Sequence, residues 1–473
     1  MKKKLLPLAL AAAAGLTGIN SAQAVHVNPD GEGEVLIYPF YTVEGGQATL
    51  ISVVNTTDKT KAVKVRFLEA MNSQEVLDFN LYLSPQDHWS AAITATADGA
   101  QVQTSDTSCT VPQSLAATTP GVAGPAVAFR NFEYQSDSKN KGTDRTREGY
   151  VEIIEMAEFN DAGNAATAAM SANIKHGSNS VPANCAAVAA AWNAGGAFRA
   201  VPATLALTEP AGGLYGYGVL IDGAAGTDVT YDAVALDAFN DTVNHTDPGS
   251  LLPSLNNASP ADAVVFTDGA ATTLSFVDGI DAVSAAIQKS SIANDFVLAS
   301  GVNAETSWVV TFPTKREYVD STPATAPFTV PWSATNTQAC EPISITYYNR
   351  EEQGVAPDAL DFSPTPPGAA PISLCYEANV INFNSSDVLH ASDRVTRKLD
   401  VVHDTGWLTL GMTVDATNNR LAPASSAPVG TTHINGLPVI GFAAQKYVNG
   451  SVGGVLANYA GSVTHKGTVT LTP

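Results

Sequence analysis

Basic side chains are scarce in this sequence: 24 Lys and Arg stand against 45 Asp and Glu over 473 residues, a formal charge of −21. Proteins that hold nucleic acid do so by displacing counterions from phosphate with Lys and Arg, so no nucleic-acid partner is expected. Aromatics are also thin, at 7%, which disfavours the aromatic girdles of a membrane β-barrel. No stretch beyond residue 24 approaches the roughly 20 apolar residues that a helix needs to span a bilayer, so no transmembrane segment is expected. Two catalytic signatures are missing as well. There is no GxSxG, and the eight histidines contain no HExxH and no pair spaced i, i+4. Neither the strained serine elbow of a hydrolase nor a helical zinc site is therefore encoded in recognisable form.

What is present begins with a leader. Lys2-Lys3-Lys4, an apolar run from Leu5 through Ala14, and Ala22-Gln23-Ala24 follow the basic, apolar, small-residue order of a secretory signal peptide, with cleavage expected before Val25. Removing three lysines and no acid takes the formal charge from −21 to −24. Solubility is the simplest use for that charge. Four cysteines in an exported chain are expected to oxidise. Of the three connectivities, the local pairs Cys109 with Cys185 and Cys340 with Cys375 are favoured, because each closes a Pro- or Gly-rich segment with weak secondary-structure signals. Their spacing is too wide for zinc-ligand pairs.

The clearest structural signal lies between Val35 and Ile93. Val63, Val65 and Phe67 alternate with Lys64 and Arg66, and Leu77, Phe79, Leu81 and Leu83 alternate with Asp78, Asn80 and Tyr82. Period two predicts antiparallel strands with one buried face and one wet, charged face. Strands are predicted over 35–41, 49–54, 62–69, 76–83 and 87–93, separated by turn formers such as Asn55-Thr56-Thr57-Asp58 and Ser84-Pro85-Gln86-Asp87. Five strands in roughly sixty residues is the spacing of a sandwich.

Residues 95–145, rich in Thr, Ser, Gly, Ala and Pro, read as a long excursion. Val151 to Met156 reads as a short strand, and 161–175 and 183–193 as alanine-rich helices, the second capped by Asn184. Tyr215 to Ile221 alternate with Gly216 and Gly218, a strand whose glycine face admits a close neighbour. Phe276, Ile280, Val283 and Ile287 mark an amphipathic helix. Trp308, Val310 and Phe312 share one strand face, and later strands are expected at 343–347, 378–383, 407–412, 439–442 and 467–471.

The N-terminal strands, with an Asn-Thr loop after a β-branched strand, resemble the immunoglobulin-like modules of bacterial surface proteins and pilus chaperones over about the first sixth of the chain. Val35 to Thr42, Trp308 to Arg316 and Gly436 to Lys446 together look like pieces of an uncharacterised family of exported, β-rich proteins of Gram-negative bacteria. That likeness implies one composite architecture across nearly the whole mature chain and brings no site residues with it.

Candidate chemistry is sparse. Asp404-Thr405-Gly406 matches the aspartic-protease tripeptide, but one copy supplies one carboxylate of the pair, and a turn before a strand is the simpler reading. Asp30 and Glu32, and Asp222 and Asp228, place hard oxygens near glycines in the manner of a calcium loop, although neither group has EF-hand spacing. No other cofactor is expected, and no catalytic residue can be named. Trp332, after Pro331 in a loop, is the best candidate for a sugar platform or partner contact.

The sequence thus predicts a mainly β protein: an immunoglobulin-like antiparallel β-sandwich core with helices inserted in the middle third. Its parts are a signal peptide (1–24), N-terminal strands (25–95), a mixed insertion (96–300) and a β-rich part (301–473) packed with the N-terminal strands. The expected function is structural or adhesive, secreted or at the cell surface, with the periplasm as the alternative location. It would act by edge or face association with its own copies or an extracellular polymer. The competing expectation is an exported hydrolase or carbohydrate-binding protein acting on such a polymer; a hydrolase needs paired carboxylates facing a cleft.

Overall fold

Leu36, Tyr38 and Phe40 alternate with Val35, Ile37 and Pro39 along one strand, Val35–Thr42, and both sets are buried. A strand with two apolar faces needs cover on both sides, and that requirement organises the fold. The structure, a computed structural model, describes residues 24–473 apart from 201, 359, 367, 369, 371 and 425–431. The expected leader therefore lies outside the described residues, save Ala24. With 43% strand, 11% helix and four helices, the described chain is mainly β, in several antiparallel sheets.

Val35–Thr42 pairs with Glu148–Phe159, which pairs with Lys61–Glu69 and so with Glu75–Leu83 in an eight-stranded sheet. A six-stranded sheet faces it, in the order Thr227–Asp232, Leu214–Asp222, Ala48–Asn55, His88–Ala95, Ala100–Gln103, Val127–Ala128. The two share a core built from Tyr38, Val63, Val65 and Phe79 on one side and Ile51, Val53, Trp89 and Ile93 on the other. The glycine face of Leu214–Asp222 does admit a close neighbour. A Cβ on Gly216 would stand 2.1 Å from the Tyr38 hydroxyl, whose proton goes to the Ser52 carbonyl. All five N-terminal strands expected from the alternation are present.

The wet, charged face is not. Lys61 and Lys64 are fully buried and Arg66 nearly so. Lys61 lies 2.6 Å from Glu155, Lys64 3.0 Å from Asp78, and Arg66 2.8 Å from Glu75. The segment 246–250 lies over this face: Lys64 donates to the Asp247 and Ser250 carbonyls, and Asn80 to that of Thr246. Glu75 and Asp78 belong to the neighbouring strand Glu75–Leu83, and further carboxylates come from Glu148–Phe159, a fully buried strand twice the length expected there. The expected strand covered only Val151 to Met156; in the longer one each of Glu152, Glu155 and Glu158 meets a buried cation. The excursion expected over 95–145 also proves structured. Ala100–Gln103, Cys109–Val111 and Val127–Ala128 extend both sheets.

The helices of the middle third sit where expected. Ala165–Ile174 and Cys185–Ala190 pack against Tyr82, Met156 and Phe159 at the sheet edge, and the Asn184 side chain accepts from the Ala187 amide as an N-cap. The disulfide Cys109–Cys185 fastens the second helix, and Cys340–Cys375 closes the other expected pair.

In the C-terminal half a second six-stranded sheet, with Ala378–Phe383, Ala304–Thr311 and Ile440–Val452 at its centre, faces a five-stranded sheet. Phe296 stacks on Phe383 at 5.3 Å across the interface, and Trp308 packs on Phe383 from its own sheet. The two halves are not separate bodies. Val309, Val380 and Phe442 enter the N-terminal core, Val35, Ile37 and Tyr150 enter the C-terminal one, and Thr311 donates to the Pro39 carbonyl.

Candidate functional site

The five-stranded sheet runs Gly354–Val355, Ser344–Tyr348, Thr405–Gly411, Ser291–Val297, Lys466–Thr468. Ile345, Tyr347, Leu408, Leu410, Ile292 and Phe296 bury one face. Strand alternation then turns their neighbours outward. The register sets three rows on that outer face: Tyr348, Trp407 and Asp295; Thr346, Thr409 and Ala293; Ser344, Gly411 and Ser291. None of these nine is fully covered, and Trp407 is 46% exposed.

Trp407 is held rather than loose. Its ring stacks on Tyr348 with centroids 4.7 Å apart and planes 16° from parallel. On its far side Tyr348 lies against Gly354, where a Cβ would stand only 2.7 Å from the ring. Tyr348 is thus gripped between a glycine and the indole, which orients Trp407 beside a ledge of small hydroxyl side chains. Asp295, next along the row, accepts from the Gln445 amide at 3.0 Å. At the opposite end of the face lies a polar hollow of about 460 Å³ lined by Ser291, Thr413, Asn435, Thr470 and Thr472. A ring face next to convergent hydroxyls and an amide suits a ligand that is itself apolar on one side and hydroxylated at its rim.

A second open face belongs to the first six-stranded sheet. Tyr215, Tyr217 and Leu50 project from it, each a little over one-third exposed. Both tyrosines sit on one strand two residues apart, so they share that face. A shallow groove of about 240 Å³ runs beside Leu50, Ser90, Ala92 and Gln103.

The residues singled out from sequence are spread over the molecule. Trp332 is half-buried against the C-terminal core, its amide donating to the Val319 carbonyl and its indole N–H 3.4 Å from Asp137. Asp30 and Glu32 lie in an N-terminal turn closed by Asn28, which bonds the Asp30 amide and the Glu32 carbonyl. Asp222 and Asp228 share a hairpin, but the register pairs Asp228 with Ile221 and Asp222 with Thr227, so the two carboxylates point to opposite faces and do not converge on one ion. Asp222 instead meets side chains from the other half: His390 Nε2 at 3.1 Å and the Lys446 ammonium at 3.7 Å. Burial raises its pKa, but hydrogen bonds from Ala225 and His390, with the Lys446 charge, hold it below the usual carboxylate range. Among the described residues no group of three or more His, Cys, Asp or Glu is placed to hold a metal ion. Asp404 and Thr405 form the turn and first residue of strand Thr405–Gly411.

Trp407 was the residue that sequence reasoning passed over. Its signal was the alternation itself: Leu408, Leu410 and Met412 are buried, so period two assigns Trp407 to the other side. No protein-family model matches the chain, and no curated protein and no solved structure is found similar to it.

Proposed function

We propose that the protein is an exported surface or matrix component that holds an extracellular glycan against the outer face of its five-stranded sheet. One observation carries this reading: a half-exposed tryptophan, fixed by stacking on Tyr348, stands on a flat ledge of serine and threonine side chains. Pyranose rings have an apolar C–H face and a hydroxyl rim, and such a ledge matches both. Charge agrees. The paired outward positions carry one acid, Asp295, and one base, Lys466, in a chain of charge −21, so a neutral polymer is the natural occupant. Two disulfides fit an oxidising compartment, and no helix among the described residues is long and apolar enough to cross a membrane. Adhesion follows from multiplicity, because a long polymer offers the same weak contact to many copies.

Fractionation of native cells into medium, envelope and periplasm tests the location. Recovery in the medium or with the envelope is expected. Recovery as a free periplasmic monomer contradicts the reading.

A further inference from the structure

A cleft of about 210 Å³ beside helix Gly279–Ile287 is separate from both open faces. Val27 and Val234, from the edge of the eight-stranded sheet, form one wall, and Ile287, Ile292 and Ile440 form the other. Among the described residues no carboxylate lines it. Two nitrogen-bearing side chains do, and they differ in kind.

His465 is fully engaged. One ring nitrogen, Nε2, donates to the Val309 carbonyl at 2.9 Å, and Nδ1 accepts from the Asn294 amide at 3.1 Å. Its ring packs on Trp308 at 4.7 Å, and burial lowers its basicity, so it serves as a neutral part of the wall. Lys289 is not engaged. Its stem passes over Gly467, where a Cβ would stand 2.6 Å from the lysine Cδ. Its ammonium has no hydrogen-bond or ion-pair partner among the described residues, and burial lowers its basicity with no acid to offset the effect. A half-buried cation without a counter-ion in an apolar recess is a costly arrangement unless something supplies the missing charge.

We propose that this cleft binds a small amphiphilic monoanion, its head group on Lys289 and a short alkyl body against the valine and isoleucine walls. The volume sets the length, since it falls below the roughly 300 Å³ at which drug-sized pockets begin. A medium-chain carboxylate fits; a full-length lipid tail does not. The proposal stands apart from the glycan face, and either can fail without the other.

Calorimetric titration of the leader-free protein with octanoate, octylammonium and 1-octanol tests it. Octanoate is expected to bind saturably, one per chain, and octylammonium not to bind. Lys289→Met keeps the stem over Gly467 and removes the charge; it should weaken octanoate by about ten-fold or more while leaving octanol unchanged, since only a charge-assisted bond is lost. Lys59→Met, at an exposed lysine elsewhere, should change nothing. Absence of saturable octanoate binding, equal binding of octylammonium, or an undiminished affinity in Lys289→Met overturns the proposal. The comparison of the three ligands on the unaltered protein decides the matter even if the variant folds poorly.

Discussion

Glu34 is 2% exposed and accepts the Phe239 and Asn240 amides, and among the described residues no cation pairs with it. Burial pushes its carboxyl up to about 8, and burial likewise pushes Glu148, which accepts from Ser392, up to about 7. Both groups bind a proton more tightly folded than unfolded. Their contribution to stability is complete below the unfolded carboxylate pKa of about 4.3 and is lost as pH rises through 7 and 8. His245 works in the opposite sense: burial holds it down to about 3, so its contribution is complete above about 6.5 and is lost on acidification. Urea midpoints are therefore expected to peak at mildly acidic pH and fall from roughly pH 4.5 to about 8, most steeply above about 6.5 where His245 no longer offsets the loss. In Glu34→Gln the fall should be shallower, and an unchanged slope would count against a neutral Glu34. The buried cations make a second test at this scale. Arg145 forks onto Glu69 at 2.7 and 2.8 Å, and both side chains are fully covered. Arg145→Met leaves a buried carboxylate unpaired and should cost about 3–5 kcal/mol. Lys175→Ala removes a half-exposed partner of Asp161 and should cost less than about 1 kcal/mol.

Among the elements, the two helices of the middle third depend on a covalent tie. Cys109–Cys185 closes a segment of 76 residues that contains Ala165–Ile174. Replacing both cysteines with serine should cost about 2–4 kcal/mol, and hydrogen exchange should report the loss first in these helices, with the central strands still protected. The same elements show what the sequence could and could not convey. Val63, Val65 and Phe67 identified their core face because apolar period two has one meaning on a strand. Lys64 and Arg66 misled because alternation says which face differs, not whether the other is wet; Lys64 is covered by residues near 247, far along the chain, and Arg66 is paired with Glu75 and with Glu152 of a distant strand. Glu148–Phe159 was half-read for the same reason, as its glutamates are paired with cations on a neighbouring strand. The hairpin of Ile440–Val452 and Val455–Thr464 was legible and overlooked. Gly453-Gly454 occupies its turn with φ of 61° and 84°, values that favour glycine. At the candidate site Trp332 drew attention because it follows a proline in a loop, yet loops between two packed halves are half-covered. Trp407 drew none, although its strand parity placed it outside.

For the whole molecule, the two cores decide cooperativity. Each takes side chains from both ends of the chain, with Phe442 stacked on Tyr231 at 4.7 Å and Ile37 sharing a core with Trp308. Unfolding followed by tryptophan fluorescence and by far-ultraviolet circular dichroism should therefore give coincident transitions, and two resolved steps would contradict a shared core. Rigidity matters for the proposed role, since a flat face binds a polymer only if its rings stay in place. The most direct test is cosedimentation of the protein spanning residues 25–473 with cellulose, chitin and peptidoglycan sacculi, beside Trp407→Ala. Retention by at least one of these, weakened in the variant by about 0.5–1.5 kcal/mol or more at unchanged folding stability, is the predicted result. Retention by none, or equal retention of protein and variant, would contradict the account.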